Sequence, residues 1–488
     1  GEGGIVTTRK RSEADWLIGI NGTRAMTAFN SKSGGFYLTP VGRVQTPTLA
    51  VVVDREKDIR SFVPRDYWEV QAKFQVQSGE YTGRWFDEGF KKDPDDIHKR
   101  AERIWELVKA KAIQEKCENH SGEVTEKSKP SKQAAPALFD LTTLQREANA
   151  RFGFSARNTL AIAQALYERH KILTYPRTDS KCLPEDYGNT VKQTIEGLEQ
   201  AEYKSIAGDI LKNDWVKASN KKIFNNSKIS DHFAIIPTLK AAPSTLKEQE
   251  QKVYDLVVKR FLAVFYPSAE FLVTTRITRI GGEPFKTEGK VLVKSGWLVV
   301  YGREQQKDDT GHLAPVNEGE PVKVCEVNVD AKATRPPARY TEATLLSAME
   351  HAGKRVDDEE LAEAMIEKGL GTPATRASII EELIRHKYMV REQRELIPTA
   401  QAFSLVTLLT ALSVDALSKP ELTGDWEFKL KEIERGNYDR ESFMNDIRGM
   451  TDHIVTATKA YDGDTVPGDY GLLDAACPKC DGGVVAET

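Results

Sequence analysis

LTYPRTDS, residues 173–180, is the densest local signal in the chain. A residue that precedes proline is driven out of the helical region by the proline ring, so Tyr175 is held extended and cannot continue a helix before it. Arg177 follows at i+2, on the same side of an extended segment, where its guanidinium can grip a phosphate bidentately beside the phenol oxygen. A phenol is a workable nucleophile toward phosphorus once its proton, with an ordinary pKa of about 10, is drawn off by neighbouring positive charge. Taken alone, the same residues read as well as a tyrosine packed at a turn, with Arg177 ion-paired to Asp179.

Upstream, Ser155 is placed to cap a helix in which Ile162 and Leu166, four apart, share one face. VGRVQTPTLAVVVDRE, 41–56, puts Gly42 and Arg43 ahead of a capped helix begun at Pro47, a natural phosphate site or a plain helix start. SDHFAIIPT, 230–238, sets His232 before an apolar, strand-like run; a single histidine is more often a packing residue than a catalyst. GLGTPATRASIIEELIRHKYM, 369–389, reads as a glycine-rich turn, a Thr375 cap and an amphipathic helix. Its Ile379/Leu383 and Ile380/Ile384 pairs are expected inside, with Arg376 and Arg385 outside. That pattern suits a helix-turn-helix or winged-helix element as well as any buried helix.

The chain has 488 residues, enough for about three domains. With 69 Lys+Arg against 73 Asp+Glu the net charge is −4, so no global basic field announces a nucleic-acid partner. The balance is uneven: residues 1–65 carry ten Lys/Arg against six Asp/Glu, and residues 401–488 carry eight against sixteen. The run 211–228, with five Lys against one Asp, reads as a solvated face. No apolar stretch approaches the roughly 18 residues of a membrane span, no signal-like segment opens the chain, and five scattered cysteines suit a reduced compartment. A cytoplasmic location is the default expectation.

Period-two alternation at Trp68, Val70, Ala72, Phe74 and Val76 predicts strands over 66–88, and similar patterns punctuated by Gly281-Gly282 predict more over 269–303 and 315–330. Helices are expected over 138–170, 245–266, 341–353, 358–368, 375–387 and 401–416. The segment 120–137 is polar, holds two prolines and lacks periodicity, so it is expected to be a linker. The expected organisation is helical over 1–65, β-rich over 66–137 including that linker, helical over 138–266, β-rich again over 267–333, and helical with a winged-helix-like part over 334–470. A short final segment covers 471–488. The two β stretches look like halves of one unit, with 138–266 inserted between them.

Together these motifs resemble the type IA DNA topoisomerases, and more closely the topoisomerase III branch. TYPRTDS at 174–180 is similar to the family's active-site segment, VGRVQTPT at 41–48 to its DNA-binding segment, and SDHFAIIPT to its histidine-bearing segment. RSEADWLIGINGTRAMT at 11–27, GLGTPATRASII, and ELTGDWEFKLKEIERG at 421–436 match further family segments, in order along nearly the whole chain. The resemblance implies a multidomain α+β chain, a toroid of helical domains and a β-rich arch that lets domain 138–266 swing away. It implies that Tyr175 attacks a single-strand phosphodiester and becomes linked to the 5′ phosphate, so that religation needs no ATP. Arg177 and His232 are implied to act at that phosphate. Asn21, Arg24, Gly42, Arg43, Val44, Gln45, Thr46, Thr178, Asp179, Thr375 and Arg376 are implied to contact the DNA strand. It also implies strand passage, DNA relaxation and decatenation, a helicase partner, a monomer, and a nucleoid-associated bacterial enzyme.

The family's first domain, the TOPRIM fold whose Glu and Asp-x-Asp pair bind Mg²⁺, is expected to precede the segment matched at 11–27 and to be absent here. Asp93/Asp95 and Asp462/Asp464 lie in polar loops and are read as solvated turns. The expectation is therefore that this chain binds single-stranded DNA but is inactive without its metal-binding domain. Cys477 and Cys480 resemble the first half of a zinc ribbon, which needs four ligands, so Zn²⁺ is expected in the parent rather than here. Two other readings compete. A tyrosine relaxase needs closely spaced histidines, and His98, His120, His170 and His232 are dispersed; a non-catalytic single-strand-binding gate or scaffold would need no nucleophile.

Overall fold

The computed structural model describes residues 2–32, 34–118, 120–198, 202–302, 313–351, 369–461, 472–476 and 483–485. Three separate hydrophobic cores organise the described residues. The first joins α1 (Glu2–Asn30) and α2 (Gln45–Ser61), from the start of the chain, to α9 (Glu342–Glu350), α10 (Pro373–Arg385), α11 (Ala400–Ala411), α12 (Pro420–Arg435) and α13 (Arg440–Ala460) near its end. The expected helix over 358–368 lies outside the described residues. A hairpin missed in the sequence, β7 (Met389–Glu392) with β8 (Glu395–Pro398), follows α10 directly, as the wing of a winged helix does.

The second core lies in the span between the two β stretches, around α4 (Leu141–Phe152), α5 (Ala156–Glu168), α6 (Gly188–Leu198), α7 (Lys204–Lys212) and α8 (Glu248–Ala263). Asp140 caps α4 by accepting from the Thr143 amide at 2.8 Å. Ser155 caps α5 through the Asn158 amide at 3.0 Å, with Ile162 and Leu166 buried as the spacing predicted.

The third core fills a closed barrel of strands β1 (Asp66–Val76), β2 (Gly79–Trp85), β3 (Ser121–Gln133), β4 (Ala269–Ile280), β5 (Glu283–Lys294) and β6 (Pro321–Ala333) in the order β1-β2-β5-β4-β3-β6. Val70, Ala72, Phe74 and Val76 point inward, as alternation required. The two β stretches thus form one unit although the second core interrupts them. Two expectations are corrected. The supposed linker 120–137 is mostly β3, paired with β4 from Gly122 opposite Ile280 to Gln133 opposite Ala269. Only Val124 of it is buried, so the strand has no hydrophobic period to read, and Pro130 is tolerated because β3 meets its other neighbour, β6, only at residues 121–123. The stretch before it also holds a helix, α3 (Leu107–Cys117), whose Ala110, Ile113 and Cys117 pack into the barrel core.

Candidate active site around Tyr175

Helix α5 ends in a tight turn with Lys171 in the left-handed region, at φ +58°. The Ile172 amide donates back to the Leu166 carbonyl at 2.9 Å. The chain then lies antiparallel to the histidine-bearing segment through Leu173 and Thr174 and bends at Pro176 and Arg177, so the extended course expected from Tyr175 to Arg177 is broken at the proline. The Thr238 amide donates to Ile172 O and the Thr174 amide to Ile236 O, each at 3.0 Å, and Leu173 bridges Pro237. Thr174 Oγ1 donates to Ala234 O and Thr178 Oγ1 to His232 O, each at 2.9 Å. This ladder carries Tyr175 to His232, with ring centroids 4.1 Å apart and planes tilted by 37°. Tyr175 is half-buried and His232 exposed.

Arg177 does not pair with Asp179. Its Nε donates to Gln164 Oε1 on α5 at 3.1 Å, and its guanidinium is exposed. Asp179 instead accepts from Ser230 Oγ at 3.3 Å. Thr178 is buried, receiving the Ser180 amide on its hydroxyl at 3.1 Å, so it braces the loop rather than facing solvent.

Beside this ladder a cleft of about 540 Å³ separates the second core from the start of α10, lined among others by Asp140, Asp179, Lys181, Lys228 and Arg376. Burial pushes the Asp140 carboxyl up, opposed by Lys181 Nζ at 3.7 Å. Arg376 is turned in, not out: it is 3% exposed and donates to Leu370 O, Gly371 O and Thr142 Oγ1 at 3.0–3.1 Å. Burial draws its pKa down, against the pull of Glu350, Asp140 and Asp179. The cap of α10 is Thr372, whose amide donates to Thr375 Oγ1 at 3.1 Å; Thr375 is the exposed third residue of the helix, and Pro373 opens it.

The 41–48 segment abuts the same region, since Val44 Cγ1 would lie 3.4 Å from a Cβ at Gly371. Helix α2 begins at Gln45, two residues before Pro47, and its N-cap Val44 offers no side-chain acceptor; Thr46 Oγ1 accepts from the Gly42 amide at 3.0 Å. Arg43 is buried, its Nε 2.5 Å from Asp15 Oδ1 and its guanidinium over the Trp426 ring. Gln45 Nε2 is buried without a hydrogen-bond partner among the described residues. Asn21 donates along its own helix to Leu17 O at 2.8 Å, and Arg24 is exposed. The fold thus gathers Tyr175, Arg177 and His232 in one place and sets 41–46 against the glycine turn of 369–376. Arg43 and Arg376, read as strand contacts, are held by protein partners here.

Sequence reading missed Gln164, Asp140, Thr142 and Asp15, which hold or face these groups. The only signals for them were the Asp before LTTL at 140–144 and the helical spacing of Gln164 ahead of the tyrosine.

The described residues do not fit the implied Mg²⁺. Among the described residues no group of three or more His, Cys, Asp and Glu side chains is arranged to hold a metal. Asp93 is tied to Lys99 at 2.8 Å and to the Asp95 amide, a solvated turn as expected. Asp462, Asp464, Cys477 and Cys480 lie outside the described residues. Among those described, no helix is long and apolar enough to cross a membrane.

A family model described as DNA topoisomerase matches residues 6–445. The chain is 37% identical over 485 residues to DNA topoisomerase 3 of Bacillus subtilis (strain 168), covering 96% of this chain and 62% of that protein. The figure is 38% over 486 residues for DNA topoisomerase 3 of Bacillus licheniformis, with the same coverage. The chain thus spans about 62% of the length of these curated relatives. Among solved structures, full-length topoisomerase I from Thermotoga maritima superposes with a TM-score of 0.69 at 25% identity, covering 92% of this chain and 68% of that one. Motifs, three-core architecture with a closed barrel, and these likenesses agree that the chain belongs to the DNA topoisomerase family, in the type IA, topoisomerase III-like group that its sequence resembles.

Proposed function

We propose that Tyr175 is the nucleophile of a transient single-strand DNA cleavage. The observation that carries this reading is the packing of the Tyr175 ring on His232 with the exposed guanidinium of Arg177 two residues further along, past the bend at Pro176. In balance, a Tyr175 Oη–P bond forms, the P–O3′ bond breaks, and the phenol proton is transferred to the departing 3′ oxygen. The 5′-phosphotyrosine keeps the bond energy, so the reverse attack reseals the strand without ATP after another strand has passed. Arg177 meets the charge that grows on the phosphoryl oxygens, and the ring of His232 limits where the phenol can point. The protein is read as acting on single-stranded DNA held in an interior groove, which an overall charge of −4 permits.

Polar contacts join the second core to the first. The Ala156 amide donates to Glu342 at 3.1 Å, the Ala343 amide to Asn149 at 3.1 Å, and Arg394 to Ala150 O at 2.9 Å. Hydrogen bonds of this kind suit a gate that opens about an arch. The full cycle, its Mg²⁺ and any Zn²⁺ are assigned to the longer protein, as are decatenation, a helicase partner, a monomeric state and a cytoplasmic, nucleoid-associated location. This chain by itself is assigned single-strand binding alone, and relaxation of negatively supercoiled plasmid by it with Mg²⁺ would refute that restriction. For the nucleophile, Tyr175→Phe in the full-length protein should abolish covalent attachment to a labelled oligonucleotide while sparing most binding, which should itself weaken steeply with salt. Attachment that survives the substitution sinks the assignment.

A further inference from the structure

The proposed cleavage needs two groups held still relative to each other, the Tyr175 phenol and the Arg177 guanidinium, yet both lie on a non-helical segment that bends at Pro176 and Arg177. The last two turns of α5 lie against them. Arg177 Nε donates to Gln164 Oε1 at 3.1 Å, and Gln164 Nε2 donates to Glu168 Oε1 at 2.6 Å. A guanidinium cannot accept and a carboxylate cannot donate, so the amide oxygen must face Arg177 and the amide nitrogen Glu168. Tyr167, three residues after Gln164 and hence on the same helix face, meets the Tyr175 ring edge-to-face, with centroids 5.4 Å apart and planes at 83°. Among the described residues the two Nη groups of Arg177 have no partner, so the end of the fork is left for a ligand.

We propose that Gln164 and Tyr167 are positioning residues for the cleavage step, an inference that rests on Tyr175 being its nucleophile. By occupying Nε, Gln164 fixes the plane of the guanidinium and turns its Nη1/Nη2 edge toward the phosphate end-on. Tyr167 braces the phenol ring whose other aromatic neighbour is His232, so that Oη sweeps a narrow arc. Neither residue touches the reacting atoms. Both are half-buried on a helix whose core face is formed by Leu160, Ile162, Ala163 and Leu166, so replacing them leaves the fold in place.

The test uses the full-length protein, an end-labelled single-stranded oligonucleotide, and three readouts: the single-turnover rate of covalent attachment, the Kd for the oligonucleotide, and the thermal midpoint. Gln164→Leu and Tyr167→Ala are expected to slow attachment by roughly ten- to hundredfold, the scale of a small misplacement of reacting groups. Kd should move by less than about twofold, because the loss falls on the transition state. The exchange Gln164→Glu with Glu168→Gln, which keeps both an acceptor for Nε and the hydrogen bond between the two positions, and Tyr167→Phe, which keeps the ring, should recover most of the rate. Unchanged rates in the Leu and Ala variants overturn the proposal. So does a loss that merely follows Kd or the midpoint, or one that the conservative variants fail to restore. Tyr175→Phe run alongside separates the two levels. Attachment that persists there removes the nucleophile itself, whereas attachment lost there but normal in Gln164→Leu and Tyr167→Ala removes only the positioning role.

Discussion

Thr178 and His232 are 54 positions apart, yet one hydrogen bond of 2.9 Å joins them. That bond belongs to the ladder on which the candidate chemistry rests. Both halves stand in the sequence as motifs, but nothing local says that 172–178 and 232–238 lie side by side, because the pairing is made by two segments too irregular to alternate. Side-chain direction was harder still. Arg376 stands in a helix where amphipathic spacing puts it outside, but Gly369 and Gly371, both with positive φ, fold the preceding turn so that its carbonyls point at the guanidinium. A Cβ on Gly369 would sit 2.4 Å from Met349 O, so the turn also depends on the missing side chain. Arg376→Met would leave two carbonyls and Thr142 Oγ1 without their donor in a site where the arginine is 3% exposed. It should lower unfolding stability by roughly 2 kcal/mol, measured by denaturant titration.

At the scale of elements, the strands that line the barrel were legible and the strand that leaves it was not. β1 announces itself because one of its faces is buried; β3 has one buried side chain and is held by its ladder to β4 and by cross-strand pairs such as Ser128–Thr274 at 2.8 Å. Gly122 is where β3 enters the barrel, and an added Cβ there would lie 2.0 Å from Arg279 O and 2.4 Å from Ile280 Cδ1. Gly122→Ala should therefore push β3 off β4 and cost about 2 kcal/mol of stability, with amides of 121–124 losing protection from hydrogen exchange first. The loop ahead of α3 gives a pH signature. Asp96 is held down to about 2 by its hydrogen bond from Arg65, 2.7 Å away. A depressed carboxyl contributes fully above its ordinary pKa of 3.8 and loses that contribution as pH falls through about 2. Carboxyl NMR should show Asp96 titrating near 2, and Arg65→Gln should return it toward the ordinary value.

Across the whole molecule, the length pointed to about three units and the structure has three cores, but the first is assembled from both ends of the chain and the third from strands on either side of the second. Interleaving of that kind leaves no mark in composition, and only the return of β texture after residue 266 hinted at it. The net charge of −4 likewise averages a basic beginning with an acidic end, and it says nothing about the cleft between the tyrosine-bearing core and α10, where Lys181, Lys228 and Arg376 face Asp140 and Asp179. If Tyr175 is the nucleophile, that architecture serves to bring one phenol to one phosphodiester and then to move apart. The most direct test is to trap the covalent complex of the full-length protein with a single-stranded oligonucleotide, digest it, and locate the nucleotide by mass spectrometry. A 5′-phosphoryl nucleotide is expected on the peptide that contains Tyr175, and a nucleotide on any other residue, or one joined through its 3′ phosphate, would contradict the assignment.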